Sequence, residues 1–415
     1  MNKTDILITG GGPVGMAAAL ALAEPARRHG LRLVLVNAQG LDEIGKPQSD
    51  GRAYNLSASS RRMLQALGVW DDLEDHAQPI TRIIVTDAPG AAPRPALLEF
   101  DNLDDSDVGG SEPASYIVEA EQLIQTLSAA VQNTRNIETR APAVVENLRQ
   151  GPAFMEADLA SGEHLRARLV IVADGRASPL RESLGVETLS WPHGQSAIVM
   201  AVRHEKDHEG RAFEHFRSPG PFAVLPLKGG FRSSLVWNES PQEAARILAL
   251  DEGEFARELR QRFGEELGEV KPDGKAFSYP LTSVLAQDYV GPRFALVGDA
   301  AHGIHPIAGQ GVNLGYRGVA ALAQVLDEAA GLGLDIGAVD VLEDYQRRRR
   351  FDALTLVAGC VILNGMFASD NALLRLIRDT GLEVVNHLPP LKRLFVREAA
   401  GSTGDLPRLL RGKSI

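Results

Sequence analysis

The stretch Arg293–Leu314, RFALVGDAAHGIHPIAGQGVNL, decides the fold because it places an acidic turn, a rigid loop and a glycine-opened helix directly after a strand. Phe294–Val297 form a short apolar run bounded by turn residues, which predicts a buried parallel strand. Asp299 follows that strand, where its carboxylate can accept hydrogen bonds from sugar-like hydroxyls. The Gly309–Gly311 turn leaves backbone N–H groups open at a helix start, where they can bind negative charge. These parts suit a cofactor with a polyol chain and an anionic ring, and a flavin has both.

A second glycine-rich turn follows the first predicted strand, Asp5–Thr9. It matches G-x-G-x-x-G through Gly10, Gly12 and Gly15, and a helical segment rich in Ala and Leu comes next. In this strand-to-helix context, the first glycine permits the tight turn, the second lets backbone approach a pyrophosphate, and the third lets the helix pack on the strand. A second predicted strand, Arg32–Val36, completes a βαβ unit, which strengthens the prediction of a dinucleotide-binding fold.

Asn37 stands at the end of that strand, where a dinucleotide fold usually carries Asp or Glu to hold a ribose. A neutral hydrogen bond contributes roughly 0.5–1.5 kcal/mol where a charge-assisted one contributes about 1.5–3 kcal/mol, so we expect looser adenosine binding. Loss of the acid also suits the 2'-phosphate of NADP, but that site would need an Arg close behind, and the next residues are Ala38–Gly40. FAD is therefore the favoured ligand.

These turns resemble those of the class A FAD-dependent aromatic hydroxylases, and the resemblance extends over residues 5–401. The string HPIAGQGVNLG, residues 305–315, is most similar to their ubiquinone-biosynthesis branch, the 2-octaprenyl-6-methoxyphenol hydroxylase type. Asp50–Ala53 resembles the D-G-R-A segment of that branch, and Ile171–Arg176 resembles the D-G motif that braces the FAD pyrophosphate region. Tyr116–Glu119 resembles the start of a helix near the cofactor, but Ala120 stands where the family commonly has Arg, Asn or Gln.

The resemblance implies a set of cofactor contacts. It places Arg52 on the FAD pyrophosphate, Asp299 on the ribityl chain and the amides of residues 309–313 toward the pyrimidine end of the isoalloxazine. The residues implied to bind the cofactor are Gly10, Gly12, Pro13, Val14, Gly15, Asn37, Arg52, Asp174, Gly175, Gly298, Asp299, Pro306, Gly309, Gly311, Val312 and Asn313.

His305 and Pro306 are the candidate catalytic residues, because the resemblance places them beside the isoalloxazine. Proline after His305 biases its backbone to an extended form, which can aim the ring inward. A histidine that only packs in the interior is the alternative. Phe222, Val224 and Leu225 are hypothesised to face the aromatic substrate, although apolar residues in such a segment are also typical of sheet core.

The predicted fold is α/β, with a Rossmann-like FAD-binding domain, an interleaved antiparallel-sheet substrate domain and C-terminal helices. The FAD-binding domain is predicted to be discontinuous, comprising residues 1–75, 100–182 and 281–345. Alternating apolar residues with Gly and Pro turns predict the substrate-binding sheet at 76–99 and 183–280, and residues 346–415 are predicted to be helical. A chain of 415 residues exceeds the size of most single cores, which agrees with two intertwined domains.

Composition narrows the class of protein. The net charge of −11 argues against a general nucleic-acid binder. The single cysteine, Cys360, excludes an internal disulfide and Cys-rich metal sites, so we expect no metal and a reducing cytosol. No signal peptide is evident, and the longest apolar stretch, residues 353–368, falls short of the ~20 residues that a spanning helix needs. We expect a cytoplasmic protein, and association with the inner membrane face, a quinone-biosynthesis complex or a second copy stays open.

Four consecutive arginines, Arg347–Arg350, precede the apolar segment Leu354–Phe367. They cannot all share one helical face, so one interpretation is a solvated helix whose arginines pair with nearby acids. The other is a basic collar that helps the protein bind an anionic membrane or an assembly partner.

The resemblance implies an FAD-dependent monooxygenase that uses NADPH or NADH and O2 to hydroxylate the ring of a polyprenylated phenol, through a flavin hydroperoxide, in ubiquinone biosynthesis. One alternative keeps FAD and changes the reaction, as in a prenyl-lipid reductase or another phenol hydroxylase. A second is a non-catalytic flavin-binding subunit of a quinone-biosynthesis complex, to which the departures at Asn37 and Ala120 point.

Overall fold

The computed structural model describes residues 2–41, 43, 51–87, 98–104, 112–218, 220–368 and 389–415, so Asp50 lies outside the described residues. Its α-helices are α1 (Pro13–Arg28), α2 (Ala58–Ala66), α3 (Ala120–Asn133), α4 (Pro179–Ser183), α5 (Pro241–Leu248), α6 (Glu252–Phe263), α7 (Gly311–Gly331), α8 (Val339–Ala368) and α9 (Pro389–Ala399). The strands are β1 (Asn2–Thr9), β2 (Leu33–Val36), β3 (Ala53–Ser57), β4 (Gln78–Pro79), β5 (Arg82–Asp87), β6 (Leu98–Asp101), β7 (Leu103–Asp104), β8 (Glu112–Pro113), β9 (Ser115–Glu119), β10 (Ile137–Arg140), β11 (Val145–Gln150), β12 (Met155–Leu159), β13 (His164–Val172), β14 (Thr188–His204), β15 (Arg211–Phe216), β16 (Phe222–Pro226), β17 (Arg232–Glu239), β18 (Val270–Pro272), β19 (Phe277–Ala286), β20 (Val290–Gly291), β21 (Phe294–Leu296) and β22 (His302–Gly303).

The first sheet is built on five parallel strands in the order β10-β2-β1-β13-β21, with β12 and β11 added antiparallel beside β13. Every residue of β2 is buried, as a continuous apolar run requires when helices cover both faces of a parallel sheet. Helices α1 and α7 pack on each other, and buried side chains from both join the strands in one core. The predicted Rossmann-like α/β fold is confirmed.

The second sheet has the order β22-β19-β14-β17-β16-β15-β5-β6, and its neighbours are antiparallel except for the β15–β5 pair. Helices α5 and α6 cover one face, where Phe222, Trp237, Ile247 and Leu259 form a separate buried cluster. Both helices begin after a capping side chain, Ser240 for α5 and Asp251 for α6. The other face of this sheet is left to border the site described below.

In the C-terminal part, α8 packs along α7, and residues 400–407 after α9 form turns and bends. Among the described residues, no helix is both long enough and apolar enough to cross a membrane.

The four consecutive arginines point to different sides of α8. The side chain of Arg349 is 8% exposed and lies 2.6 Å from Asp352, whereas the Arg347 side chain is 64% exposed. Arg348 lies 2.6 Å from Asp344, and Arg347 and Arg350 also have acidic neighbours. This pairing is what the solvated-helix interpretation predicts.

Candidate functional site

The three turns that carry the sequence motifs lie side by side at one edge of the first sheet. β1, β13 and β21 are adjacent and parallel, with Thr9 paired with Val172 and Val172 paired with Leu296. The turns at residues 10–12, 174–176 and 298–300 therefore leave the sheet at the same edge. The carboxyl ends of the strands in an open α/β sheet are where its ligands bind.

Glycines let these turns approach one another closely. Gly10 has a φ of 101°, and a Cβ there would overlap the carbonyl oxygen of Ala173. A Cβ on Gly15 would overlap the carbonyl oxygen of Gly10, which joins the start of α1 to β1. Gly298 has a φ of 61°, and its missing Cβ would lie 3.0 Å from Val14. A side chain at any of the three glycines would push the turns apart.

Two helix N-termini open toward the space in front of the turns. α1 begins after Gly12 and α7 begins after Gln310, and neither start has a side-chain cap or an acid in its first turn. A Cβ built on Gly12 or Gly311 meets no atom within 4 Å, so the space before both helices is open. Uncapped N–H groups and the helix dipole favour negative charge at both places.

Two arginines hold the second and third turns together. Arg181 is 4% exposed, and its Nη1 donates to the carbonyl oxygens of Arg176 and Ala300, each at 3.1 Å. Arg176 then donates from Nη1 to the carbonyl oxygen of Thr282 at 3.0 Å and from Nη2 to Oδ2 of Asp299 at 3.3 Å. These hydrogen bonds connect the turns at residues 174–176 and 298–300 with each other and with the second sheet.

Desolvation raises the pKa of both motif carboxyls, Asp174 and Asp299. For Asp299, the positive charge of Arg176 opposes this rise, and the Asp299 side chain remains 37% exposed. Asp174 accepts a hydrogen bond from the N–H of Leu180 at 3.4 Å, whereas its Oδ1 is buried and has no hydrogen-bond partner among the described residues. Asp299 is therefore the carboxylate that can accept hydrogen bonds from a ligand.

The turns border a cavity of about 860 Å³. Ligand pockets usually measure roughly 300–1,000 Å³, so the space is large for one small molecule and suits a cofactor together with a substrate. On the side of the first sheet it is lined by Gly12, Pro13, Val14, Arg52, Gly175, Arg176, Asp299, Pro306, Gly309, Gly311 and Val312. The opposite wall is the free face of the second sheet, through Ile83, Val85, Val199, Ala212, Glu214, Phe216, Ala223, Leu225, Val236 and Tyr279. One wall offers backbone N–H groups and charges, and the other is mainly apolar.

Residues 3–358 match the FAD binding domain family. The chain belongs to this family. The ubiquinone hydroxylase UbiL of Rhodospirillum rubrum is 42% identical over 411 residues, which cover 98% of this chain and 92% of that protein. The 3-demethoxyubiquinol 3-hydroxylase of Escherichia coli is 34% identical over 411 residues, covering 96% and 99%. Among solved structures, p-nitrophenol 4-monooxygenase PnpA from Pseudomonas putida has a TM-score of 0.77 at 20% identity, covering 98% of this chain and 100% of that one, and shares the fold.

The site fits FAD on its own geometry. Its two open helix N-termini suit the anionic pyrophosphate and an electron-rich ring system, and the exposed carboxylate of Asp299 suits the hydroxyls of the ribityl chain. Ten of the residues predicted to bind the cofactor line the cavity: Gly12, Pro13, Val14, Arg52, Gly175, Asp299, Pro306, Gly309, Gly311 and Val312. The other predicted cofactor residues do not line this cavity: Gly10, Gly15, Asn37, Asp174, Gly298 and Asn313.

Asn37 uses its side chain within the protein. Its Oδ1 accepts a hydrogen bond from the N–H of Gly11 at 2.8 Å, and its Nδ2 donates to the carbonyl oxygen of Gln39 at 2.7 Å. The amide therefore fixes the first glycine turn of this FAD-binding family member. A carboxylate could not make the second of these bonds, which gives the departure from Asp or Glu a local structural reason.

Asn313 clamps the loop before α7 to β3. It is fully buried, its Oδ1 accepts from the N–H of Ser57 at 2.9 Å, and its Nδ2 donates to the carbonyl oxygen of Asn55 at 2.8 Å. A Cβ on Gly309, which has a φ of 59°, would lie 2.9 Å from the Cβ of Asn55. Asn313 and Gly309 together set the path of the loop that faces the flavin site.

His305 lies behind the wall, whereas Pro306 lines the cavity. His305 is fully buried, and its Nδ1 accepts a hydrogen bond from the N–H of Ile307 at 3.1 Å. Nε2 must then carry the proton, which it donates to Oε1 of Gln195 at 3.0 Å. Desolvation, with the nearby His193 and Arg176, lowers the pKa of His305 to about 3. This geometry is the one expected of the alternative, a histidine that packs in the interior, and the catalytic role of His305 stays a prediction.

Of the three residues predicted to face the substrate, one lines the cavity. Leu225 lines the cavity, whereas Phe222 and Val224 lie on the other face of β16 in the cluster beneath α5 and α6. The Phe222 ring centroid lies 5.8 Å from that of Trp237. Successive residues of a strand point to opposite faces, so Ala223 shares the cavity face with Leu225, and Val236, the cross-strand partner of Ala223, lines the cavity too.

Three buried or cavity-lining side chains were missed from the sequence. Arg176 directly follows the Asp174–Gly175 pair and could have been found from that position. Arg181 and Glu214 carried no local signal, because only the packing of the turns and of the second sheet gives them their places.

Proposed function

We propose that this FAD-binding protein hydroxylates the aromatic ring of a polyprenylated phenol in ubiquinone biosynthesis, with NADPH or NADH and O2 as co-substrates. The observation that carries the proposal is the cavity, which has motif turns and open helix starts at one wall and an apolar sheet at the other. The relatives named as ubiquinone hydroxylase and 3-demethoxyubiquinol 3-hydroxylase match nearly the whole chain and support the substrate class.

FAD, when bound, supplies the electron transfer and the activation of oxygen. We assign the pyrophosphate to the start of α1 at Gly12, with Arg52 beside it, and the ribityl hydroxyls to Asp299. The open start of α7 at Gly311 stabilises negative charge on the ring. Pro306 borders the same space and gives the loop a fixed backbone.

The apolar wall holds the substrate ring and keeps water away from the reaction. Val85, Val199, Ala223 and Leu225 contribute to this surface. In this proposal each predicted domain binds one ligand: residues 76–99 and 183–280 bind the substrate, and the flanking segments bind FAD.

The test is oxygen transfer by the purified, FAD-loaded protein. Prenylated phenols should stimulate NAD(P)H oxidation, and ¹⁸O from labelled O2 should appear in the product. The variant Asp299→Ala should lose FAD and activity together, while Asp405→Ala, whose side chain is 98% exposed, serves as the matched control. A reduced product without label would identify a reductase. Absence of FAD retention and of NAD(P)H oxidation would identify a non-catalytic subunit. Complementation of strains lacking each quinone hydroxylation step would assign the ring position.

We also propose that α8 associates with an anionic membrane, because the substrate is a lipid. Phe351, Leu354 and Ile362 are 79%, 47% and 61% exposed along this helix, and the exposed Arg347 lies one turn before Phe351. Apolar side chains beside basic ones are the composition of helices that lie in a membrane interface.

Co-sedimentation with anionic vesicles tests this association. Replacing Arg347, Arg348 and Arg350 with Gln should abolish it, while Arg27→Gln on α1, 66% exposed, should leave it unchanged. Unchanged sedimentation of the triple variant would refute the membrane role. Concentration-dependent self-association that the triple variant loses would assign the surface to a second copy instead.

A further inference from the structure

The apolar wall of the cavity contains one acidic side chain, that of Glu214. It lies in β15, opposite Ala223 of β16 and Val85 of β5, and Val236 of β17 follows Ala223 across the sheet. All three apolar neighbours line the same cavity. The carboxyl is therefore presented to the cavity from the middle of an apolar sheet face.

The strands around Glu214 provide no charge that neutralises it. On β15 itself, His215 faces the opposite side of the sheet and Arg217 follows the end of the strand. β16 has no titratable side chain, Arg82 stands at the start of β5, and Tyr279 is the titratable group of β19 on the cavity wall. Among the described residues, no ion pair or hydrogen bond involves the Glu214 carboxyl, and desolvation alone raises its pKa to about 8.

The other two acids of the cavity are neutralised. Asp299 lies 3.3 Å from Arg176, and Glu398 lies 3.6 Å from Arg317. Burying a carboxyl without a partner costs free energy that a Val or Leu at the same place would not cost. Glu214 therefore opposes stability where it stands, and a strongly perturbed acid in a cleft is typical of a functional group.

Glu214 also faces the loop that precedes α7. Val85, its partner on β5, and Phe216, two residues farther along the same face, both belong to an apolar cluster against which Ile307 packs. Ile307 directly follows Pro306, which borders the proposed flavin position. A substrate ring between this loop and the sheet has Glu214 as its acidic neighbour.

We propose that Glu214 is the catalytic residue that binds the hydroxyl of the phenolic substrate and accepts its proton, an inference that rests on the proposed function. In this step the phenol O–H bond breaks, a carboxyl O–H bond forms, and the electron pair stays on the phenolate oxygen. The ionised ring is richer in electrons at the carbon that is hydroxylated. An ordinary Glu has a pKa of about 4.3 and a phenol such as Tyr has a pKa of about 10. The raised pKa of Glu214 therefore reduces the pKa difference between the phenol that donates the proton and the carboxylate that accepts it.

Two substitutions separate binding from proton transfer. Glu214→Gln keeps a hydrogen-bonding group and removes the base, whereas Glu214→Leu removes both. Glu209→Gln, 71% exposed and just before the same strand, is the matched control for loss of one carboxyl. Because Glu214 has no partner to lose among the described residues, both variants should fold, and thermal melting checks this.

The first measurement is a calorimetric titration of the FAD-loaded protein, without NAD(P)H, with a prenylated phenol and with its methyl ether. Above about pH 8, where Glu214 is ionised, a hydrogen bond to its charged carboxylate is worth about 1.5–3 kcal/mol, so the wild type should prefer the phenol by roughly 10- to 150-fold. Glu214→Gln should keep only the smaller preference of a neutral hydrogen bond, roughly 2- to 13-fold, and Glu214→Leu should lose it. Equal affinity of the wild type for phenol and ether would overturn the assignment.

The second measurement is turnover as a function of pH and of substrate acidity. Glu214→Gln should lower kcat by about 100-fold or more with little change in KM, and the rise of kcat with pH near 8 in the wild type should disappear. Fluorinated phenols that are already ionised in water should restore the rate of Glu214→Gln. A kcat within about 3-fold of wild type for ordinary phenols, or no rescue by the acidic ones, would refute the proposal. If the wild type hydroxylates no phenol, the proposed function fails, while the binding comparison still decides whether Glu214 recognises phenols.

Discussion

Gly12 and Gly15 belong to one motif, but the structure gives them different tasks, which two alanine substitutions can separate. Gly12 has a φ of −72°, which any residue can adopt, and a Cβ there meets nothing within 4 Å. Gly12→Ala should therefore change the free energy of unfolding of the FAD-free protein by less than about 0.5 kcal/mol. A Cβ on Gly15 would overlap the carbonyl oxygen of Gly10, so Gly15→Ala should destabilise the protein by about 1–3 kcal/mol or more.

For FAD affinity the order is reversed: Gly12→Ala should have the larger direct effect on FAD binding, and Gly15→Ala the smaller one. The methyl group of Gly12→Ala occupies the open space before α1, where we place the pyrophosphate. Loss of one charge-assisted hydrogen bond costs about 1.5–3 kcal/mol, which corresponds to a Kd roughly 10- to 150-fold weaker. Urea unfolding without FAD and fluorescence titration with FAD measure the two quantities. The reasoning is refuted if Gly12→Ala destabilises the FAD-free protein as much as Gly15→Ala does, or if it binds FAD like the wild type.

Three further predictions follow from the same geometry. Asp299→Ala should weaken FAD binding by roughly 10- to 150-fold, measured by fluorescence titration, because it removes the exposed carboxylate at the end of β21; unchanged affinity would contradict this role. Leu225→Trp should raise KM for a prenylated phenol with little change in thermal stability, whereas Phe222→Ala should lower the free energy of unfolding by about 3–5 kcal/mol. The opposite pattern would mean that Phe222, and not Leu225, is on the face of β16 that borders the cavity. Burial lowers the pKa of several histidines below the usual value near 6.5, and for three of them the pKa falls to about 4 or below. These three are neutral in the folded protein, so their contribution to stability is full above about pH 6.5 and is lost as pH falls, by up to about 1.4 kcal/mol per pH unit for each histidine. Urea titrations between pH 7 and pH 5 should show this loss, and a flat profile would contradict the burial of His215, His302 and His305, whose pKa values are about 4, 4 and 3.

The cofactor side of the site was predictable because its signals are local in sequence. Gly10, Gly12 and Asp299 each follow a short apolar strand, and a parallel sheet brings such strand ends to one edge without further information. The order of the strands decides which turns become neighbours. The sequence does not specify that order, and the structure shows that β1, β13 and β21 are adjacent.

The contacts that join the motifs were not predictable, because they depend on partners far away in the chain. Arg181 bonds to a carbonyl oxygen 119 residues later, and Gln195 meets His305 across 110 residues. A proline beside His305 suggested an inward-facing ring, but it could not show that Gln195 and the N–H of Ile307 would occupy both ring nitrogens.

The substrate wall shows why a strand sequence alone does not say which face borders a cavity. In β16 Phe222 and Val224 alternate with Ala223 and Leu225, and hydrophobicity alone does not show which pair borders the cavity. The structure places Phe222 and Val224 under α5 and α6, where packed helices need volume to fill. Ala223, by contrast, leaves room for a ring in front of Glu214. A small residue opposite an acid, on an otherwise apolar sheet face, is therefore the stronger sign of a substrate-facing position. The small residue reduces packing and the buried acid costs solvation free energy, and a sheet with only a structural role has no need of either.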